Sequence, residues 1–264
     1  MVPSVCTKNL HLVSLTQFTG MWDVHWRIGG TNGTKLQSDN CLKTPNKVTS
    51  VDPNFLGAFL LVHITSTGSV LMTNNWGWVA DHELDLLDHS QINIYNGRGL
   101  LVESQGPVWL YGTSFEHSML YNYQIANAKD IYMGVIQSET AYMQANPNSL
   151  SAFIPQDAWS DPAFTGCFLS TCYKTWGLRI FNSSYILMYG AGLYSFFDNY
   201  DSGCLATYSC QQNMVAVEKS EAIYLYSLST KASLDMVQVD SVQLVPQAAN
   251  INGFCDTVAV FEYP

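Results

Sequence analysis

The sequence predicts an all-β chain wound as a parallel β-helix, and three observations carry that expectation. Short runs rich in β-branched and aromatic residues recur, among them "GLLVES" from Gly99, "VWLYG" from Val108, "IYMGVI" from Ile131, "LRIFN" from Leu178, "YILMYG" from Tyr185 and "IYLYSL" from Ile223. Each has the length of a strand and is bounded by Gly, Asn, Ser or Pro, while no helix-period stretch of similar strength competes. The phrases "YQIANAKDIYM" and "LRIFNSSYILM" align as strand, then Asn127 or Asn182, then a polar corner and a second strand. Asn tolerates the left-handed conformation that such a corner needs. Finally, "VWLYGTSFE" and "IYMGVIQSE" close on Glu116 and Glu139, 23 residues apart. Strand, corner and strand repeating at about this period is the pattern of stacked coils. A sandwich would show hairpin signals, and Asn96-Gly97 in "NIYNGRGLLV" is the candidate for one. Between the strands, residues 74–91 and 144–172 read as long projecting loops.

Composition narrows the function. The chain has 264 residues, 47% of them hydrophobic, which is ample for a core. Charged residues make up 12%, the net charge is −10 and the pI is about 4.8. With no basic surface to neutralise phosphates, nucleic acid and anionic membrane are set aside as partners. No run approaches the roughly 18 apolar residues of a membrane span, and the start "MVPSVCTKNLHLVSLTQFTG" lacks the basic-then-apolar order of a secretion signal. Two sequons, Asn32-Gly33-Thr34 and Asn182-Ser183-Ser184, nevertheless point toward a secretory route. Seven cysteines (Cys6, Cys41, Cys167, Cys172, Cys204, Cys210 and Cys255) leave an odd thiol, so the expectation is a piece of a longer secreted protein. Cys167 with Cys172, and Cys204 with Cys210, stand close enough to close short loops. No Cys-x-x-Cys pair or His cluster suggests a metal, and no cofactor fingerprint is present.

On adjacent coils Glu116 and Glu139 would stack roughly 4.8 Å apart. Like charges that close oppose joint ionisation and hold one carboxyl protonated. A protonated carboxylic acid is what glycoside cleavage needs, to give its proton to the departing oxygen. The plain alternative is an acidic ladder on a solvated face. Around the pair lie Trp109, Tyr111, His117, Tyr121, Tyr123, Tyr132 and Tyr142. Trp109 and Tyr132 share a register and read as an ordinary ladder. Trp22, Trp26, Trp76, Trp78 and Trp159 are expected from loops or other coils, and the loop pair in "NNWGWVADHELD" is the better candidate for a sugar face. His82 and His89 flank acids there without the spacing of a zinc-protease helix.

The segments "MWDVHWRIGG", "NNWGWVADHELD", "INIYNGRGLLVESQGPVWLYGTSFEHSMLYNYQIANAKDIYMGVIQSETAYMQ", "KTWGLRIFNSSYILMYGAGLYSFF" and "FCDTVAVFEYP" resemble the carboxyl-terminal half of glycoside hydrolase family 55, the fungal exo-β-1,3-glucanases. The resemblance implies a right-handed parallel β-helix of the pectate-lyase kind over residues 1–264, one of two such helices with the active site between them. It implies exo-acting, inverting cleavage of β-1,3-glucan outside the cell, with no cofactor and no metal. Glu139 matches the general acid and Glu116 the second acidic residue, in proton relay or in orienting water. Tyr142, Trp78, Trp76 and His117 are implied on the substrate side. Carboxyls about 5 Å apart suggest retention of configuration. Two side chains stacked on one wall, however, cannot flank an anomeric carbon from opposite faces, so inversion is preferred and the water falls to the amino-terminal helix. Without that helix the chain is expected to be weakly active or inactive, the alternative being a catalytically inactive glucan-binding or structural module.

Overall fold

The computed structural model describes residues 10–12, 19–43 and 50–264; Cys6 lies outside them. The chain lays its strands alternately into two sheets. β1 (Leu10–Leu12) enters the first sheet, and β2 (Thr19–Trp22) and β3 (His25–Ile28) the second. β4 (Leu56–Ile64) returns to the first, followed by β5 (Val70–Thr73) and β6 (Trp76–Val79) in the second. Later circuits repeat this: β7 (Tyr95–Val102), then β8 (Val108–Tyr111) and β9 (Ser114–Glu116); β10 (Tyr121–Ala126), then β11 (Lys129–Glu139); β12 (Trp176–Phe181), then β13 (Ser184–Tyr194); β14 (Gln211–Glu218), then β15 (Glu221–Lys231); then β16 (Ser233–Val239). Within each sheet every new strand lies parallel to the one laid a circuit earlier. The helices Ser38–Cys41 and Ser149–Ala152 have four residues each. The protein is thus all-β and rich in parallel pairing.

Alternation builds the interior. In the second sheet Val70 and Met72 pair with Val108 and Leu110, these with Ile131 and Met133, these with Ile186 and Met188, and these with Ile223 and Leu225. The first sheet answers with Leu100 and Val102, Tyr123 and Ile125, Leu178 and Ile180, Val215 and Val217. All are buried in one cluster, because period-two side chains from both sheets converge on the space between them.

The corners are equally regular. Asn127 and Asn182 take φ of 53° and 47°, and the Asn182 Nδ2 donates to Asn127 Oδ1 at 2.8 Å. Asn74, Gly112, Val135, Gly190 and Ser227 form a second left-handed corner, repeated on successive circuits at φ between 54° and 76°. A β-branched residue is strained there, and Val135 is tolerated with its side chain out in solvent.

Asn96-Gly97, the candidate hairpin of the rival sandwich, sits inside the buried parallel strand β7. Two expectations need correction. The parallel pattern ends before the chain does: β17 (Val242–Pro246) turns back antiparallel on β16, and β19 (Cys255–Tyr263) lies antiparallel on β15 with β18 (Ile251–Asn252) beside it. These reversed strands cover the last edges, which would otherwise offer open pairing groups. Trp159 lies away from the glutamates. It packs on Phe59 at 5.4 Å and His63 at 5.3 Å from the first sheet, and its carbonyl accepts from Gln124 Nε2 at 2.9 Å. The segment carrying it is drawn to that sheet by a buried ion pair, Arg98 Nε to Asp161 Oδ1 at 2.8 Å.

Candidate functional site

The 23-residue period is the register itself. Ile131 pairs with Val108, Tyr132 with Trp109, Met133 with Leu110, Gly134 with Tyr111 and Gln137 with Ser114. The ladder carried two residues further brings Glu139 beside Glu116, and Glu116 in turn pairs with Trp78 of β6. β9 stops at Glu116 because His117 adopts φ of 64°, turning its N–H to the Glu139 carbonyl at 2.9 Å. Buried Asn122 fixes the same carbonyl from beneath, donating to Glu139 O at 2.9 Å and to Ser138 Oγ at 2.6 Å. Both glutamates therefore rise from pinned backbone.

Their side chains are joined by a chain of polar groups. Trp76 Nε1 donates to Glu116 Oε2 at 2.9 Å, and Ser114 Oγ lies 2.7 Å from Glu116 Oε1. Ser114 also contacts the Gln137 amide, whose Nε2 stands 3.4 Å from Glu139 Oε1. One hydroxyl hydrogen can serve only one acceptor, and the carboxylate is the stronger. On the far side the Tyr142 hydroxyl donates to Glu139 Oε2, while His117 Nε2 stands 3.9 Å from that oxygen. Aromatic contacts close the circle: Trp76 to Trp78 at 5.3 Å, Trp78 to His117 at 6.4 Å, His117 to Tyr142 at 4.4 Å and Tyr142 to Phe197 at 4.2 Å.

Burial is the main reason that the Glu139 carboxyl is held above its ordinary range. The Tyr142 hydrogen bond and the His117 charge oppose this, and the negative charges of Glu116 and Asp81 add to it more weakly. Burial likewise raises Tyr142, aided by its bond to Glu139, so this hydroxyl stays a donor. Charge repulsion between the glutamates, the cause expected from their spacing, is real but secondary.

All six residues singled out from the sequence (Glu116, Glu139, Tyr142, Trp76, Trp78 and His117) fall in this one connected group. Trp76 and Trp78, expected on a loop, instead lie on β6. They differ sharply: Trp78 is 6% exposed and packs among Val79, Ala80, Ile92 and Ile94, whereas Trp76 is 36% exposed and offers a face. Trp22 and Trp26 also lie on strands, at the end of β2 and within β3.

Sequence reasoning missed Ser114, Gln137, Asn122, Phe197 and Asp81. The first two were visible as the polar residue two before each glutamate in "SFE" and "QSE", since alternation puts such neighbours on one face. Asp81, beyond β6, carries its charge to Glu139 and Tyr142 and bonds His82 Nδ1 at 2.9 Å. Its segment is anchored by buried Glu83, which accepts from Ser38 N at 2.9 Å, Gln37 Nε2 at 3.2 Å and Leu84 N at 3.1 Å. Burial pushes the Glu83 carboxyl up, but these hydrogen bonds together prevail and draw it down to about 2. Among the described residues no group of three or more His, Cys, Asp or Glu could hold a metal ion.

Disulfides join Cys167 to Cys172 and Cys204 to Cys210, the two short loops expected from spacing. Cys41 is a buried free thiol and Cys255 a half-buried one.

No family model matches the chain. Among curated proteins it is 57% identical over 242 residues to a probable glucan endo-1,3-beta-glucosidase of Arthroderma benhamiae, covering 92% of this chain and 27% of that protein. It is 41% identical over 240 residues to a non-secreted LysM effector of Penicillium expansum, covering 90% of this chain and 16% of that protein. A glucan 1,3-beta-glucosidase of Cochliobolus carbonum is 36% identical over 252 residues, 93% of this chain and 31% of its own length. The chain therefore corresponds, over about nine-tenths of its length, to part of fungal proteins that include named glucan 1,3-β-glucosidases, and it spans less than a third of their length.

Proposed function

We propose that this chain is the acid-bearing part of a glycoside hydrolase of β-1,3-glucan, of the family 55 kind, and that residues 1–264 form one right-handed parallel β-helix. The observation that carries the reading is Glu139: a carboxyl kept above its ordinary range by burial, gripped by the Tyr142 hydroxyl and standing one strand from Glu116. In this reading protonated Glu139 gives its proton to the departing glycosidic oxygen. The Tyr142 hydrogen bond then stabilises the carboxylate left behind. Glu116, fixed by Trp76 and Ser114, stands beside it, and its charge adds to the upward shift of Glu139 more weakly than burial does. The exposed face of Trp76 supplies a flat surface for a sugar ring.

The two carboxyls rise from neighbouring strands of one wall, which supports inversion: the attacking water comes from the other side of the sugar and is held by groups outside this chain, on an amino-terminal β-helix. Exo action and an extracellular location complete the proposal and rest on the resemblance. A second reading, a glucan-binding module without turnover, is favoured by the similarity to a protein named as a LysM effector rather than as a glycosidase.

The test is hydrolysis of laminarin by the full-length protein, with its amino-terminal part in place, and by its Glu139→Gln variant, with proton NMR of the first product. Release of α-glucose that Glu139→Gln abolishes supports an inverting exo-enzyme. Binding of laminarin with no turnover selects the module. Turnover indifferent to Glu139→Gln refutes the assignment.

A further inference from the structure

A cleft of about 790 Å³, sharing no lining residue with the Glu139 group, lies between the segment 157–172 and the strands β12, β14 and β16 of the first sheet. Its volume is that of a small-ligand site. The floor is polar in an unusual way. Gln212, Asn213 and Gln238 bring three carboxamides to it, and Gln238 carries no side-chain hydrogen bond among the described residues. Between them stands Asp235, a buried carboxylate with no cation: Gln212 Nε2 donates to its Oδ2 at 3.0 Å and Gln243 Nε2 to its Oδ1. Two acceptors on that carboxylate are used, and the others remain for a ligand.

The arginine of the cleft is already paired. Arg179 gives Nε to Glu218 Oε1 at 3.1 Å and Nη2 to Glu218 Oε2 at 2.6 Å, and spends Nη1 on Gln124 Oε1 at 2.8 Å. Lys219 also lines the cleft: its backbone amide donates to Asp240 Oδ1 at 2.9 Å, and its ammonium lies 5.5 Å from the Phe181 ring centroid. Against that one lysine stand Asp157, Asp161, Glu218, Asp235 and Asp240, so an anion would meet mostly carboxylates, while among the described residues no group of three or more His, Cys, Asp or Glu could hold a cation.

The rim is aromatic. Phe168 is 91% exposed and Leu169 64% exposed, both lining the cleft on a loop closed by the Cys167–Cys172 disulfide. At 91% exposure the Phe168 ring leaves both faces open to a ligand. Set beside amides and a carboxylate, it has the composition that a sugar requires: an apolar ring face for stacking and donors with acceptors for hydroxyls.

We propose that this cleft is a second carbohydrate site, binding a short neutral oligosaccharide without cleaving it. It stands independently of the function proposed for Glu139. The experiment is hydrogen–deuterium exchange of the protein with laminarihexaose, cellohexaose or chitohexaose at millimolar concentration, combined with calorimetric titration of the same three. Protection of residues 157–172 by at least one of them is expected, and Phe168→Ala should weaken that binding by about tenfold with an unchanged melting temperature. Gln238→Ala, at a half-buried position, should weaken it as well. No protection of 157–172 by any of the three, or protection there that Phe168→Ala and Gln238→Ala both leave intact, overturns the proposal. Protection over 114–142 reports the other site separately, so its absence beside protection of 157–172 sustains this cleft and counts against the Glu139 reading alone.

Discussion

The indole Nε1 of Trp76 donates to Glu116 Oε2 at 2.9 Å, tying an exposed aromatic face to the second carboxylate of the site. A ring that stacks on a sugar is thereby placed by the same residue that conditions the acid. Trp76→Phe keeps the ring and deletes the donor. A hydrogen bond to a charged group contributes about 1.5–3 kcal/mol when buried, and partial exposure puts this one at the low end. The expected outcome is a fall of about tenfold in kcat/KM on laminarin, with Glu116 less well ordered. An unchanged kcat/KM would show that the bond has no part in turnover.

In the active protein, with its amino-terminal part in place, Glu139→Gln preserves shape but releases no proton, so laminarin turnover should fall by about two to four orders of magnitude. An aryl glucoside with a good leaving group needs less protonation and should suffer less. Equal losses on both substrates would place Glu139 in some role other than that of the acid.

The pH dependence separates the neighbours of Glu139 by sign. A general acid works in its protonated form, so activity declines as pH rises through its pKa. The Tyr142 hydroxyl lowers that pKa and the Glu116 charge raises it. Tyr142→Phe should therefore move the alkaline limb to higher pH, and Glu116→Gln to lower pH. Because Tyr142 ranks above Glu116 among the influences, its shift should be the larger. Limbs moving the same way in both variants would contradict the electrostatic account.

Glu83 provides a stability test remote from chemistry. Its folded carboxyl is depressed from 4.5 to about 2, so the stability it contributes is present above about 4.5 and is lost as pH falls toward 2. Glu83→Gln should lower the melting temperature at pH 6 and much less at pH 2.5. Since Glu83 anchors the segment with Asp81, turnover should drop too. Equal destabilisation at both pH values would point to lost packing instead of lost ionised contacts.

If the chain travels the secretory route, its two sequons should differ. Asn32 is exposed in a turn, whereas the Asn182 amide is spent on Asn127 in a tight corner. Mass spectrometry of peptides from the secreted protein should find glycan at Asn32 and little or none at Asn182; equal occupancy would refute this.

The sequence by itself determined the strands around Glu116 and Glu139, the Asn corners and the register, but it read β6 as loop. Period-two apolar runs, Asn127 and Asn182 at equivalent corners, and the 23-residue offset are local or repetitive properties, and a repeating chain writes its neighbours' positions into its own period. The same offset put Glu116 beside Glu139. Only the tertiary structure decided what surrounds them. Trp76 and Trp78 look alike in "NNWGWV", but β6 turns one into the core and the other toward solvent, because successive strand residues face opposite ways. Trp159 could not be located from its neighbours, since a buried Arg98–Asp161 pair 63 residues apart draws its loop to the opposite sheet. The state of Glu139 is likewise a tertiary quantity: spacing suggested repulsion from Glu116, but burial outweighs it, and the Tyr142 hydrogen bond and Asp81 charge that also act on it come from segments the repeat does not specify.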